Sequence, residues 1–474
     1  MDYLEILDSY KDEMLETLKK LITFPSVASQ AEKGADGELY PFGKEVQQAF
    51  EYTLAKGEEM GFSTFNADNY GGHLEWGCDD SKEVFGVAGH LDVVPTGSGW
   101  TYGPFEPTIN DGWLYGRGSI DDKGPLVASL YAMKALKEAG LKPKKNIRLI
   151  LGLDEETGFA GMNYYASKAG QPDAGITPDA EFPLVNGEKG KLRFDLAKKL
   201  TASSSKDGLR LTKLEAGTVC NAVPEYAKAV VAGDQAQYDS IRNRLSQYAL
   251  ETGHKIKAKK QGSSLVIEAF GITAHAARPE KGLNAISVLM DFLGRLQFAN
   301  EEINDFIYFY NEKIAFNLHG EKIDCNFSDV ESGDLTWNVG LASISENVAN
   351  ISIDVRFPVS YTSEQVYAGV EKNLDNTSIG IVKLGEDKPI FKPLDDPMVE
   401  CLMNAYREET GDTESEALVM GGGTYAKSLN NTLAFGGLFP GEDDCMHNAD
   451  ERISLESFYR MSRIYAKALY LICF

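Results

Sequence analysis

Apolar residues at Leu4, Leu7, Met14, Leu15, Leu18, Leu21 and Ile22 recur at helical spacing, so the chain is predicted to open with a helix. A second helix is predicted over Lys44 to Met60. The stretch EVFGVAGHLDVV is almost continuously apolar and reads as a buried strand with His90 near its end. In SIDDKGPLVASLYAMKALKEAG, Asp121 and Asp122 precede Pro125, and Leu126, Leu130, Met133 and Leu136 repeat behind it. Gly140 closes the segment, which gives a helix with an acidic cap, a proline in its first turn and a terminal glycine. IRLILGL is the next buried strand, and it runs into three acids, Asp154, Glu155 and Glu156. Apolar strands alternating with helices predict an α/β fold with a mainly parallel sheet covered on both faces.

The pattern changes near VNGEKGKLRFDLAKKL. In NISIDVRFPV, Ile351, Ile353, Val355 and Phe357 share one face, and Ser352, Asp354 and Arg356 share the other. That alternation predicts an antiparallel strand with one solvated face. Residues 190–388 therefore read as an inserted α+β domain. It interrupts a first domain made of 1–189 and 389–474. The insertion, at about 200 residues, exceeds the usual ~100–150 for one domain and has room for two lobes.

The chain has 474 residues, 43% of them hydrophobic and 25% charged, which suits a soluble globular protein of more than one domain. Its formal net charge of -24 argues against nucleic acid or an anionic membrane as a partner, because phosphates need clustered Lys and Arg. No apolar run approaches the ~20 residues that span a membrane, and the start MDYLEILDSYKDEML is acidic, unlike a secretory signal. The six cysteines are scattered without a CxxC, so they read as reduced thiols in a cytoplasmic protein.

In open α/β sheets, ligands bind beyond the carboxyl ends of the strands. His90 and Asp92 end one predicted strand, and Glu155 and Glu156 end another. Asp179, in ITPDAEFP, follows a short apolar stretch. His447, in GEDDCMHNADE, follows TLAFGG, and Asp121 stands before a helix. The same rule sends all of these groups to one rim. Two imidazoles and several carboxylates suit a pair of divalent ions such as zinc, one carboxylate bridging them. Asp92 is placed to accept from the second ring nitrogen of His90 and so orient it. Of Glu155 and Glu156, one can ligate while the other acts as a general base. As the alternative, Asp121–Asp122 is a plain helix cap. His73, His254 and His319 lie in no such context and are read as structural.

GHLDVVP, GRGSIDDKG, LDEETG, TPDAEFP and MHNADE, in that order, resemble the di-zinc metallopeptidase superfamily of aminoacylases, carboxypeptidase G, desuccinylases and bacterial dipeptidases. The likeness is strongest to the dipeptidase V type, in GRGSIDDKGP, VCNAVP and length. It spans essentially the whole chain. It implies a zinc-peptidase-like fold with the insertion as a lid. It implies two zinc ions, or Mn or Co: His90 and Asp179 hold one, Glu156 and His447 the other, and Asp121 bridges. Glu155 is then the base that activates the water held by both ions, and Asp92 orients His90. The peptide after the bridging Asp is often cis in that family. His275, in GITAHAARPEKGLNA, is the counterpart of a lid histidine that reaches the scissile carbonyl. Asn221 and Arg356 match substrate-contacting positions, and MGGGTYAKS, with Gly422, Gly423 and Thr424, matches a pocket loop. The expected activity is hydrolysis of short peptides, above all dipeptides, by a monomer. The alternatives are an N-acyl amino-acid deacylase or desuccinylase and, from another class, a non-catalytic peptide- or metal-binding protein.

Overall fold

The computed structural model describes residues 2–34, 37–78, 80–201 and 207–474. It divides into two compact units. One comprises Met1–Gly187, Phe391–Val419 and Gly423–Phe474; the other comprises Glu188–Ile390 and Met420–Gly422.

The first unit is built on a mixed sheet. Thr432–Ala434, Ala174–Thr177, Val84–His90 and Asn146–Gly152 lie side by side in that order and are all parallel. Gly72–Trp76 joins one side antiparallel, and Val185–Glu188 joins the other. Val84–His90 and Asn146–Gly152 are buried on both faces, as their continuous apolar pattern requires. Lys123–Glu138 and the final helix Leu455–Cys473 pack against each other, and both contribute to the main core. The register sets His90 level with Gly152, so the strand carrying His90 and the strand leading to the acids end together.

Two local expectations are corrected. The predicted first helix is two, Tyr3–Ser9 and Lys11–Ile22; the N–H of Tyr10 closes the first on the carbonyl of Leu7. Asp122 precedes the helix Lys123–Glu138 but makes no side-chain cap bond. Its carboxylate instead accepts the main-chain N–H of His90 at 3.1 Å. Gly89 permits that approach, since a Cβ there would lie 2.5 Å from the same carboxylate. The Asp121–Asp122 peptide is cis.

The second unit has one antiparallel sheet of eight strands and one apolar core. Each half runs strand, strand, helix, strand. The first half is Arg210–Ala216, Tyr226–Ala232, Gln235–Thr252 and Lys255–Gln261; the second is Thr336–Ile344, Val348–Phe357, Ser363–Leu374 and Gly380–Asp387. The last strand of each half forms an outer edge, and the first strands of the two halves pair at the centre. The likeness of the halves lies in topology, and the sequence shows no matching repeat. Val348–Phe357 is not half-solvated as its alternation predicted, because Ser352, Asp354 and Arg356 are all buried. Strands pair with this segment on both sides, and on one of them Asn338 donates to the Cys220 and Ala222 carbonyls.

Candidate metal centre

The site is assembled at the carboxyl ends of the parallel strands of the first unit. His90 is fully buried, and its Nδ1 lies 2.9 Å from the main-chain oxygen of Asp92. A carbonyl can only accept, so Nδ1 carries a hydrogen and Nε2 faces the acids. Nε2 is 3.0 Å from Oδ1 of Asp121 and 3.9 Å from Oδ2 of Asp179. The Asp92 carboxylate, expected to orient this ring, stands 3.5 Å from the same Nδ1. The same carboxylate also accepts the main-chain N–H groups of Glu155 and Glu156, each at 3.1 Å. The reason is the short turn Glu155–Thr157 that follows the strand: its first N–H groups have no partner inside the turn and point at Asp92.

Asp121 is shared. Its other oxygen, Oδ2, lies 2.9 Å from Nε2 of His447, and the same nitrogen is 3.2 Å from Oε1 of Glu156. His90, Asp121 and Glu156 form one group whose potential ligand atoms lie within 4.8 Å of one another, and His90, Glu155 and Asp179 form a second. His90, Asp92, Asp121, Glu155, Glu156, Asp179 and His447 are thus brought together from separate segments. Tyr425 closes the cluster from beside the ring of His90.

The electrostatics show an excess of negative charge. Burial pushes the Glu155 carboxyl well above its usual range, and the charge of Asp179 adds to this. Burial takes Asp179 up to about 6, with His90 opposing and Asp121 reinforcing. Burial also lifts Asp154 to about 6. Asp121 is held well below the carboxylate range because its contacts with His447 and His90 outweigh its burial. The His447 imidazole is raised to about 11 by hydrogen bonds to Asp121 and Glu156. His90 is raised as well, its acid partners Asp121, Asp179 and Asp92 overcoming burial. Two imidazoles do not balance this many buried carboxylates. The donor set of ring nitrogens and carboxylate oxygens fits a borderline divalent cation, which would supply the missing positive charge.

The other predicted residues fall in both units. Asn221 and His275 are neighbours in the second unit, where the N–H of Ala276 donates to the carbonyl of Asn221 at 2.9 Å. The His275 side chain is exposed, and its Nδ1 accepts from Ala277 at 3.2 Å. Arg356 is no surface ion pair. It is buried, with Nε and Nη2 on Asp354 at 2.6 and 3.2 Å and Nη1 on the Gly421 carbonyl at 2.9 Å. Gly422 belongs to the second unit, and Gly423 and Thr424 to the first. The Thr424 hydroxyl accepts from Ala426 at 3.1 Å. The remaining histidines lie elsewhere: His73 meets Tyr165, His254 stacks on Phe316, and His319 meets the Leu335 carbonyl. The six cysteines are free thiols. Among the described residues no helix is long and apolar enough to cross a membrane.

Asp122, Arg117 and Glu451 were missed as parts of the site. All three lie inside the motifs GRGSIDDKG and MHNADE.

Residues 86–471 match peptidase family M20/M25/M40. A Staphylococcus epidermidis protein named "Putative dipeptidase" is 34% identical over 98% of both chains. A Bacillus subtilis protein named "Putative dipeptidase YtjP" is 33% identical over 97% of both. Among solved structures, human carnosine dipeptidase 1 shares the fold, with a TM-score of 0.54 at 18% identity over 99% of this chain and 98% of that one. With a family match over most of its length, relatives aligned from end to end and a site whose charges call for divalent cations, the chain belongs to peptidase family M20/M25/M40 and is a metallopeptidase.

Proposed function

We propose that the chain is a dipeptidase whose centre holds two zinc ions, replaceable by manganese or cobalt. His90 and Asp179 hold one ion, Glu156 and His447 hold the other, and Asp121 serves both. When bound, the ions polarise the scissile carbonyl and make a water acidic enough to attack it near neutral pH. Glu155 takes the proton of the attacking water and delivers it to the leaving amine, so that the peptide bond breaks to a carboxylate and an amine. Asp92 orients His90 and holds the main chain of Glu155 and Glu156, which leaves their side chains to separate tasks. His275 donates to the carbonyl oxygen as negative charge develops there. Arg356 and Asn221, with Gly422, Gly423 and Thr424, take the terminal carboxylate of the substrate. After its bonds to Asp354 and Gly421, Arg356 keeps one N–H on each terminal nitrogen, enough for a two-pronged contact.

The observation that carries this reading is the Asp121 carboxylate, one oxygen on His90 and the other on His447, beside the Glu155–Glu156 pair. The names of the full-length relatives point to dipeptides as the substrate class. The test strips the protein with a chelator, refills it with Zn, Mn or Co, and assays dipeptides, tripeptides, pentapeptides and N-acyl amino acids. Activity is expected only after refilling, with dipeptides preferred. Full activity of the stripped protein sinks the metal assignment. A preference for N-acyl amino acids makes the chain a deacylase, and efficient cleavage of pentapeptides ends the dipeptidase reading.

A further inference from the structure

We propose that Glu451 is a positioning residue for the metal centre, tying the loop that carries Asp121 to the loop that carries His447. The inference rests on the reading of those two residues as metal ligands.

Glu451 is fully buried, and both of its oxygens are engaged. Oε1 accepts three main-chain N–H groups, from Gly118 at 3.0 Å, Ile120 at 3.1 Å and Asp121 at 3.2 Å. Oε2 accepts from Nη1 of Arg117 at 2.6 Å. The main-chain oxygen of Glu451 accepts the N–H of Gly116 at 2.9 Å, and the next residue, Arg452, pairs with Tyr115 in a strand register. One residue thus binds the approach to Asp121 through side chain and main chain alike. It stands four positions after His447, whose ring meets the Asp121 carboxylate. Its neighbour Asp450 accepts the N–H and hydroxyl of Thr101, each at 2.7 Å.

A buried ion pair is weak evidence of stability, because an apolar replacement of the same shape is often no worse. Geometry explains this one better. The N–H groups of Gly118, Ile120 and Asp121 converge on one oxygen only because the loop bends tightly, with Gly118 at φ +85. Without an acceptor these buried donors force the loop to rearrange, since a buried N–H left without a partner loses its hydrogen bonding to water and gains nothing in return. The Asp121 carboxylate, at the end of that loop, would leave its place between His90 and His447. Arg117 fixes which way Glu451 faces and is held in turn by the Trp100 ring, 5.2 Å from its guanidinium carbon.

The test uses Glu451→Gln and the double variant Arg117→Met, Glu451→Gln. A glutamine has one oxygen and one NH2. If its oxygen faces the three N–H groups, its NH2 meets Arg117 donor to donor; the opposite orientation sets NH2 against the amides. Replacing Arg117 with methionine removes the opposing donor and lets the oxygen keep the amides. Metal-stripped full-length protein is titrated with cobalt(II), followed by calorimetry and by the visible spectrum of the bound ion. Glu451→Gln is expected to bind at least one cobalt ~10–100-fold more weakly, with a changed spectrum, as for other groups that orient metal ligands. The double variant is expected to regain most of that affinity. Wild-type protein that binds no cobalt refutes the ligand assignment itself. Wild-type protein that binds, beside a Glu451→Gln variant of equal affinity and spectrum, overturns the positioning role alone, whatever the change in melting temperature. If Glu451→Gln does not fold, the double variant decides: near-wild-type affinity supports the proposal, and a folded double variant that binds more than ~10-fold more weakly overturns it.

Discussion

Oδ1 of Asp92 accepts the main-chain N–H of Glu155 at 3.1 Å, and Oδ2 does the same for Glu156. The strand that ends at His90 therefore fixes the backbone of the neighbouring acid pair. An asparagine can satisfy only one of these N–H groups, because its NH2 opposes the other. Asp92→Asn should lower kcat ~10–100-fold through displacement of Glu155 and Glu156, as a change behind metal ligands typically does. Kinetics beside elemental analysis check this. Wild-type kcat in a fully metallated variant would mean that the two N–H contacts do not matter to the reaction.

Glu155 and Asp121 should fail in different ways. Glu155→Gln keeps size and removes the basic oxygen, so metal content should persist while kcat falls ~100–10,000-fold, the usual span for a lost general base. Asp121→Ala removes the carboxylate that meets both His90 and His447, so metal content should fall first. The pair is read by elemental analysis and by kcat under saturating metal. A fully active Glu155→Gln variant removes that residue from the mechanism.

The strands Val84–His90 and Asn146–Gly152 were legible because an apolar run leaves little choice of element, and the strand-end rule then sent His90, Asp179, Glu156 and His447 toward one rim. The partner of a hydrogen bond was less legible. Nothing in HLD tells that the Asp92 carboxylate also holds the main chain of the turn at Glu155, 63 positions away in sequence. Arg356 shows the same limit. Period-two alternation marks two faces of a strand, and only tertiary packing decides whether the polar face meets water. Here it lies among other buried polar groups, with Asp354 on the guanidinium. The break at Tyr10 escaped for the opposite reason, since two short helices with the same buried face leave one continuous apolar period.

His275→Ala should lower kcat ~100–1,000-fold, the usual loss for one donor to a developing oxyanion. Its side chain is exposed and belongs to the second unit, so melting temperature and metal content should stay near wild type. The loss should appear in kcat more than in KM, because the contact strengthens as charge develops. Steady-state kinetics on one dipeptide suffice. An unimpaired variant would mean that this residue supplies no such donor.

His73 should make the protein acid-sensitive independently of the metal centre. It sits in the strand Gly72–Trp76, stacked on Phe65, with Nδ1 2.8 Å from the Tyr165 hydroxyl. Burial, and then the positive charge of Arg148, take its pKa down to about 3. Glu75 lies 4.0 Å from its Nε2 but is already bound to Arg148 at 2.7 Å, so it does little for an imidazolium. An unfolded histidine takes up its proton near pH 6.5. Between that value and about 3 the unfolded chain binds more protons than the folded one, and stability falls as pH falls. Above pH 7 both states are neutral and the effect vanishes. At pH 5 the loss is about 2 kcal/mol, from roughly 1.5 pH units at 1.36 kcal/mol each. Glutamine offers an amide to the Tyr165 hydroxyl and does not titrate. The stability advantage of wild type over His73→Gln should therefore shrink by about 2 kcal/mol between pH 8 and pH 5. Denaturant unfolding of both metal-stripped proteins across that range gives the difference directly and cancels every other titrating group. A gap that does not change with pH would show that the folded protein protonates His73 as readily as the unfolded chain does.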